Sequence, residues 1–164
     1  MAHLSKIKHS SGDWQKIKSH AVAVGIYDDL KISRQFQGVN RELGRGLSNM
    51  LAANLIKGKS GEVKTVVGKK GAIAFIFGLG HRGELNAETL RKAGGGVSKA
   101  CNTNKIKSVS FLVPVDAKDD YMSQATAEGL VLGSYQFNEF KTTDDDPFEM
   151  KGATIVGGNK NSVE

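Results

Sequence analysis

The motif that most strongly suggests a ligand site is the glycine-rich segment GLGHRG. Gly78, Gly80 and Gly83 fit the pattern G-x-G-x-x-G and follow an apolar, strand-like run, as in loops that hold the phosphates of a dinucleotide. However, two features count against a dinucleotide-binding loop. The next helix begins near Asn86, beyond the last glycine. The acidic residue that ends the next strand, Asp116, lies thirty-three residues after Gly83, whereas a separation of about twenty is typical. A glycine-rich strand-to-helix turn is therefore favoured, with a phosphate or nucleotide cradle as the alternative.

Other residue types that bind metals or attack substrates do not form a recognisable site. Asp144, Asp145 and Asp146 precede Pro147, and because three neighbours in one loop rarely converge on an ion, they predict an acidic surface turn. The four histidines are His3, His9, His20 and His81. Their spacing lacks the pairing of zinc sites, and the one cysteine, Cys101, is expected to be a buried apolar residue. We therefore predict no catalytic, cofactor-binding or metal-ligating residue in this chain.

Six short runs of apolar and β-branched residues predict the strands of a sheet that would position these groups. The runs are residues 4–8, 20–26, 62–67, 72–77, 108–113 and 152–156. The first is expected at an edge of the sheet. The third and fourth are joined by Gly-Lys-Lys-Gly, which predicts a hairpin.

Leucine spacing predicts the first helix between these strands. Its apolar residues recur every four positions, which places them on one side: Val39, Leu43, Leu47, Leu51 and Leu55. Gly44 and Gly46 lie inside this pattern, and each disfavours a helix by up to about 1 kcal/mol relative to alanine. Close packing or a local irregularity is implied there.

Two further helices are predicted from caps and buried stripes. Asn86 is a suitable N-cap for the second helix, with Leu85 and Leu90 able to pack as a hydrophobic staple. The buried stripe of that helix is Leu90, Ala93, Val97 and Cys101. The third helix would begin at Asp119 or Asp120. Its stripe of small residues, formed by Ala125, Gly129 and Gly133, is expected to face the sheet, so that Gly133→Leu should be severely destabilising.

Composition and charge describe an ordinary globular chain with an uneven charge distribution. The 164 residues suit one domain, and no apolar run is long enough to cross a bilayer. No signal region is apparent and a single cysteine fits a reducing compartment, so a cytoplasmic protein is expected. Residues 1–115 carry a net charge of +12 and residues 116–164 one of −6, which allows complementary faces or weak nucleic-acid binding.

Four short motifs together carry a resemblance to a known family. The strongest stretch is EGLVLGSYQFNEFK at residues 128–141, with an acidic residue, Gly-Leu, a second glycine, an aromatic pair and a closing lysine. Supporting motifs come in the expected order: GK at 58–59 with GE at 61–62, GLG at 78–80 and LRKAGG at 90–95. By these motifs the chain resembles the N-terminal domain of the leucyl aminopeptidase family over residues 20 to 156.

This resemblance implies an α/β fold with a mixed sheet between helices, similar to macro domains, over residues 1–156. Residues 157–164 would then begin a linker to a C-terminal catalytic domain. In the family that second domain holds two divalent metals, zinc or manganese, and the enzymes form hexamers to which the N-terminal domains contribute contacts. None of its metal-ligand or catalytic motifs has a match here. The alternatives are a free-standing macro-like module that binds nucleotides or ADP-ribose, and a DNA-binding accessory domain.

Overall fold

The computed structural model describes residue 4, residues 6–117, 120–135, 148 and 150–157, with only the backbone described at residue 120. Its strands are β1 (Ile7–Ser10), β2 (Ala21–Tyr27), β3 (Val63–Val67), β4 (Ile73–Gly80), β5 (Ser108–Leu112) and β6 (Gly152–Val156). Its α-helices are α1 (Arg34–Glu42), α2 (Gly46–Ala52), α3 (Ala87–Thr103) and α4 (Asp120–Ser134). No helix in this part of the chain is both long and apolar enough to span a membrane.

The six strands form one sheet in the order β1-β6-β5-β2-β4-β3. Five neighbouring strands are parallel, and β3 pairs antiparallel with β4 at one edge, with Val63 opposite Phe77 and Val67 opposite Ile73. The predicted hairpin and the predicted edge position of the first strand are confirmed, although that strand begins at Ile7 rather than at residue 4. The sheet is mixed and helices flank it, which confirms the predicted α/β class.

Alternating side chains of the central strands fill two separate cores, because successive residues of a strand point to opposite faces. On β2, Ala21 and Ala23 belong to the core beneath α3 and α4, whereas Val22, Val24 and Ile26 belong to the core beneath α1 and α2. The predicted stripe of α3 lies fully in the first core. The side chain of Asn86 accepts a hydrogen bond from the backbone N–H of Thr89, so the predicted cap is confirmed.

The single helix predicted from Val39 to Leu55 is wrong, because the chain breaks it into α1 and α2. Gly44 and Arg45 both take left-handed backbone angles, with φ of +63° and +70°, which end the α-helical hydrogen-bonding pattern. Leu55 lies beyond α2 and is 55% exposed. The four-residue spacing of apolar side chains continues through the break, but the α-helical conformation of the backbone does not.

The small-residue stripe of α4 faces a helix rather than the sheet, which corrects the prediction. A Cβ added at Gly129 would overlap the carbonyl oxygen of Arg91, and one at Gly133 would overlap that of Gly95. Both obstructing atoms belong to the backbone of α3. Ser98 of α3 donates a 2.6 Å hydrogen bond to the carbonyl of Leu130, which draws the two helices together.

Candidate functional site

The strand order reverses at the carboxyl ends of β2, β4 and β5. From β2 the chain passes through α1, α2 and β3 to reach β4 on one side, and from β4 it passes through α3 to reach β5 on the other side of β2. Crevices that hold ligands commonly form at such a reversal in open parallel sheets. A functional site is therefore expected at this edge of the sheet.

Four side chains meet there, one from the end of β2 and three from the loops that follow β2, β4 and β5, and we call Tyr27, Asp29, Arg82 and Asp116 the carboxyl-edge cluster. Tyr27 ends β2 and its hydroxyl donates to Asp116 at 3.1 Å. The guanidinium of Arg82 lies 4.3 Å from the centre of the Tyr27 ring, an arrangement favourable for a cation–π interaction. The same guanidinium donates to Asp29 at 2.7 Å and lies 3.6 Å from Asp116.

These contacts determine the charge states of the cluster. Burial and the hydrogen bond with Asp116 raise the pKa of Tyr27 to about 12, so the phenol stays protonated at neutral pH. The hydrogen bond from Arg82, followed by that from the backbone N–H of Lys31, lowers the pKa of Asp29 to about 2. One cation is thus shared by two carboxylates, with a neutral phenol beneath it.

The geometry of the cluster suits holding loops together better than catalysis. Its only cation is already paired, and a phenol with a raised pKa is a poor base or nucleophile at neutral pH. The adjoining cavity, lined in part by Gly25, Gln35 and Arg82, has a volume of about 100 Å³. Sites for drug-sized ligands are commonly about 300–1,000 Å³. The cluster therefore fastens the loops after β2, β4 and β5 to one another.

The histidines singled out in the sequence lie apart from one another. His81 contacts the carboxylate of Asp28 at 3.2 Å, and that hydrogen bond raises the pKa of the imidazole. His9 contacts the carbonyl of Gly157 at 2.6 Å, and His20 contacts the hydroxyl of Ser108 at 2.8 Å. His3 lies outside the described residues. Each described histidine thus has a partner of its own.

The glycine-rich motif serves close packing at the end of β4. Gly78 and Gly80 still belong to the strand, and α3 begins four residues after Gly83. A Cβ on Gly78 would overlap the carbonyl oxygen of Lys59, because the loop before β3 lies directly against the strand. The backbone N–H of Gly80 donates to the carbonyl of Gly58 at 2.8 Å, so it already has a partner. Protein backbone thus occupies the space next to the motif.

The remaining candidates form no cluster among the described residues. Cys101 is buried in the core beneath α3 and α4, and burial raises the pKa of its thiol to about 12. The part of the chain that the structure describes holds no group of three or more His, Cys, Asp or Glu residues that could bind a metal. Asp144, Asp145 and Asp146, like most of the acidic residues after residue 115, lie outside it.

The carboxyl-edge cluster was not predicted from the sequence, although a signal for it exists. Asp29, Arg82 and Asp116 each follow a strand within four residues, and all three strands are parallel neighbours. Carboxyl ends of neighbouring parallel strands lie at one edge of a sheet, so polar residues placed there meet. The signal is informative only when the order of the strands in the sheet is known. Periodicity within single elements does not reveal that order.

Comparison with known families matches residues 23–144 to the N-terminal domain of the cytosol aminopeptidase family. The chain belongs to the cytosol aminopeptidase family. A probable cytosol aminopeptidase of Aquifex aeolicus is 28% identical over 96% of this chain and 32% of its own length. The corresponding protein of Geotalea uraniireducens is 32% identical over 82% of this chain and 28% of its own length. The chain therefore spans about a third of these relatives and corresponds to the family's N-terminal domain.

Solved structures show the same fold. A variant of tomato leucine aminopeptidase superposes with a TM-score of 0.80 and 17% identity, over 99% of this chain and 35% of the tomato chain. The bottromycin maturation enzyme BotP, in complex with Mn, superposes over 89% of this chain and 28% of its own, with a TM-score of 0.61 and 18% identity. The macrodomain of Mycobacterium tuberculosis DarG superposes at 0.66 with 13% identity, over 93% of this chain and 98% of its own. These likenesses confirm the predicted macro-domain-like fold of this N-terminal domain.

Proposed function

We propose that this chain is the non-catalytic domain of a metal-dependent leucyl aminopeptidase that releases N-terminal amino acids from peptides. The observation that carries the proposal is the match of residues 23–144 to the family's N-terminal domain, in relatives about three times as long. Residues 1–156 would form the domain and residues 157–164 would begin the linker to the catalytic domain. The name of the relatives favours the cytoplasm as the location of the whole enzyme.

Two divalent metals, zinc or manganese, are proposed for the catalytic domain and not for this one. Manganese accompanies BotP, and 28% of the BotP chain superposes on this fold. Metal-assisted hydrolysis needs several carboxylate or imidazole ligands held together. The described residues do not fit that requirement, because no three His, Cys, Asp or Glu side chains among them converge. We therefore assign no step of hydrolysis to a residue of this chain.

The role proposed for the domain itself is to support assembly with its own catalytic domain and with other copies, as a hexamer in the full-length enzyme. Its surface offers features that suit such contacts. The basic portion before residue 116 and the acidic portion after it carry opposite net charge, which favours complementary pairing between surfaces. Val115 and Leu132 are large apolar side chains that are 74% and 61% exposed.

Parallel assays of two proteins test the proposal: residues 1–164, and the full product of the gene that encodes them. Both are incubated with leucine p-nitroanilide in the presence of manganese, zinc or a chelator. We expect no turnover by residues 1–164 under any condition, and turnover by the full product that a chelator removes and metal restores. Metal-dependent turnover by residues 1–164 alone would overturn the proposal, as would a gene that encodes no further domain.

A macro-like module that binds nucleotides or ADP-ribose is a second candidate, and the overlap with nearly the whole DarG macrodomain favours it. The small cavity beside the carboxyl-edge cluster counts against it. Titration calorimetry with ADP-ribose separates the two functions, since micromolar binding would favour the module. A DNA-binding accessory role, suggested by the basic portion, would appear as duplex binding that weakens steeply as salt rises.

A further inference from the structure

A crevice lies between the α1–α2 pair and the turn that joins β3 to β4. Its volume is about 430 Å³, which is within the range of small-molecule sites. It is lined by Ile32, Gln37, Asn40, Arg41, Gly44, Arg45 and Lys69. Gln37, Asn40 and Arg41 come from one face of α1, because they are separated by three or four residues, and Gly44 and Arg45 form the break that follows this helix.

The crevice carries three cations and no carboxylate. Arg41, Arg45 and Lys69 line it together, and none of them forms an ion pair with any carboxylate that the structure describes. By contrast, Arg82 and Arg91 each contact two carboxylates. Like charges gathered without partners repel one another, so their arrangement favours an anion from outside.

Local contacts hold the backbone segment that carries Arg45 and place the stem of Lys69 beside it. Arg45 has a φ of +70°, a left-handed conformation that side chains other than glycine adopt rarely, and its N–H donates to the carbonyl of Asn40 at 2.9 Å. The Asn40 side chain in turn bonds both the hydroxyl and the N–H of Ser48, at 2.6 and 3.1 Å. The aliphatic stem of Lys69 lies against the α-carbon of Gly44, with its Cδ 3.0 Å from where a Cβ would be.

The donors in the crevice suit a phosphate group. Guanidinium groups bind phosphate oxygens through two parallel hydrogen bonds, and an ammonium group adds a compact charge. Gln37 contributes a further amide donor to the lining. No aromatic side chain lines the crevice, so it offers no surface for stacking a nucleobase. Recognition would therefore depend on charge and on the tetrahedral oxygens of the anion.

We propose that this crevice is an anion site that binds a phosphate group through Arg41, Arg45 and Lys69. Two sources share that chemistry, a small phosphorylated molecule and the backbone of a nucleic acid. The volume of the crevice favours the small molecule. The proposal does not depend on aminopeptidase activity, since all the residues involved lie in this domain.

Titration calorimetry of the protein with inorganic pyrophosphate at low ionic strength tests the site. The variant Arg41→Gln/Lys69→Gln removes two charges from the crevice and should weaken pyrophosphate binding about tenfold or more. The control Lys92→Gln/Lys99→Gln removes two charges from exposed positions on α3 and should change the affinity by no more than about twofold. Equal losses in both variants, or no binding by the wild type, would overturn the proposal.

A second variant keeps the test decisive if the double substitution unfolds the protein. Gln37→Glu places a carboxylate one helical turn from Arg41 and should also weaken pyrophosphate binding, while the melting temperature stays near that of the wild type. Unchanged affinity in this folded variant would contradict the proposal. Competition with duplex DNA then identifies the source: displacement of pyrophosphate assigns the site to a nucleic-acid backbone, and coexistence assigns it to a small molecule.

Discussion

The two faces of the sheet are covered in different ways. On one face, α3 and α4 are 17 and 15 residues long and approach so closely that glycines of each lie against backbone atoms of the other. On the other face, α1 and α2 are 9 and 7 residues long and meet at a left-handed break. The first face derives its stability from contact between backbones. The second face has shorter helices, and the break between them forms part of a crevice lined by charged side chains.

Neighbouring glycines in α3 provide the largest test of this difference. A Cβ on Gly94 would lie 2.6 Å from the carbonyl oxygen of Thr126 and 2.9 Å from the backbone nitrogen of Leu130. Because backbone cannot move aside as a flexible side chain does, Gly94→Ala should lower the free energy of unfolding by about 2 kcal/mol or more, even after a gain of up to about 1 kcal/mol in helix propensity. Urea unfolding followed by circular dichroism measures the change.

Gly95→Ala is the matched control, since it changes the same residue type one position later in the same helix. Its Cβ would lie 3.6 Å from the carbonyl oxygen of Gly129, an ordinary contact distance. Only the propensity gain applies, so this variant should be as stable as the wild type or more stable by up to about 1 kcal/mol. If both variants were equally stable, the two helices would not be in backbone contact.

The break between α1 and α2 should tolerate a Cβ better. Gly44→Ala places an alanine at a φ of +63°, which disfavours the folded state by about 1 kcal/mol. The atoms that its Cβ would meet belong to the stem of Lys69, which can move. We expect the free energy of unfolding to fall by about 1 kcal/mol, less than for Gly94→Ala. A larger fall for Gly44→Ala would reverse the comparison of the two faces.

Sequence reasoning succeeded where a structure depends on residues close together in the chain. The Asn86 cap and the stripe of α3 require only spacing within one helix, and the hairpin of β3 and β4 requires only the turn between them. It allowed for a local irregularity near Gly44 and Gly46 but did not predict that the helix ends there, because the leucine spacing runs through the break and the contact between Asn40 and Ser48 forms only in the fold.

The glycine stripe and the carboxyl-edge cluster show a further limit. Small residues four apart in α4 indicate that something approaches closely, but they do not say whether a helix or the sheet does so. The cluster depends on which strands are neighbours, and this follows from the crossing of the chain over β2. Both features are set by contacts between elements distant in the sequence, where local spacing carries no information.

Paired and unpaired arginines provide the smallest and last test. Arg91 joins the two long helices, since it donates to Glu128 of α4 at 2.9 Å and to Glu88 of its own helix at 2.6 Å. It is only 26% exposed, yet Glu88 and Glu128 are 59% and 39% exposed, so solvent screens the pairs. Arg91→Gln should therefore lower the free energy of unfolding by no more than about 1 kcal/mol.

Arg41→Gln removes a cation that has no described carboxylate partner and should leave stability unchanged or raise it slightly, because repulsion within the crevice falls. Urea unfolding at low salt and in about 1 M NaCl, where the Debye length is about 3 Å, separates charge from packing. The loss in Arg91→Gln and any gain in Arg41→Gln should both shrink at high salt. A loss in Arg41→Gln as large as that in Arg91→Gln would mean that Arg41 is held by a structural partner, and the crevice would then lose one of the three cations proposed to bind an anion.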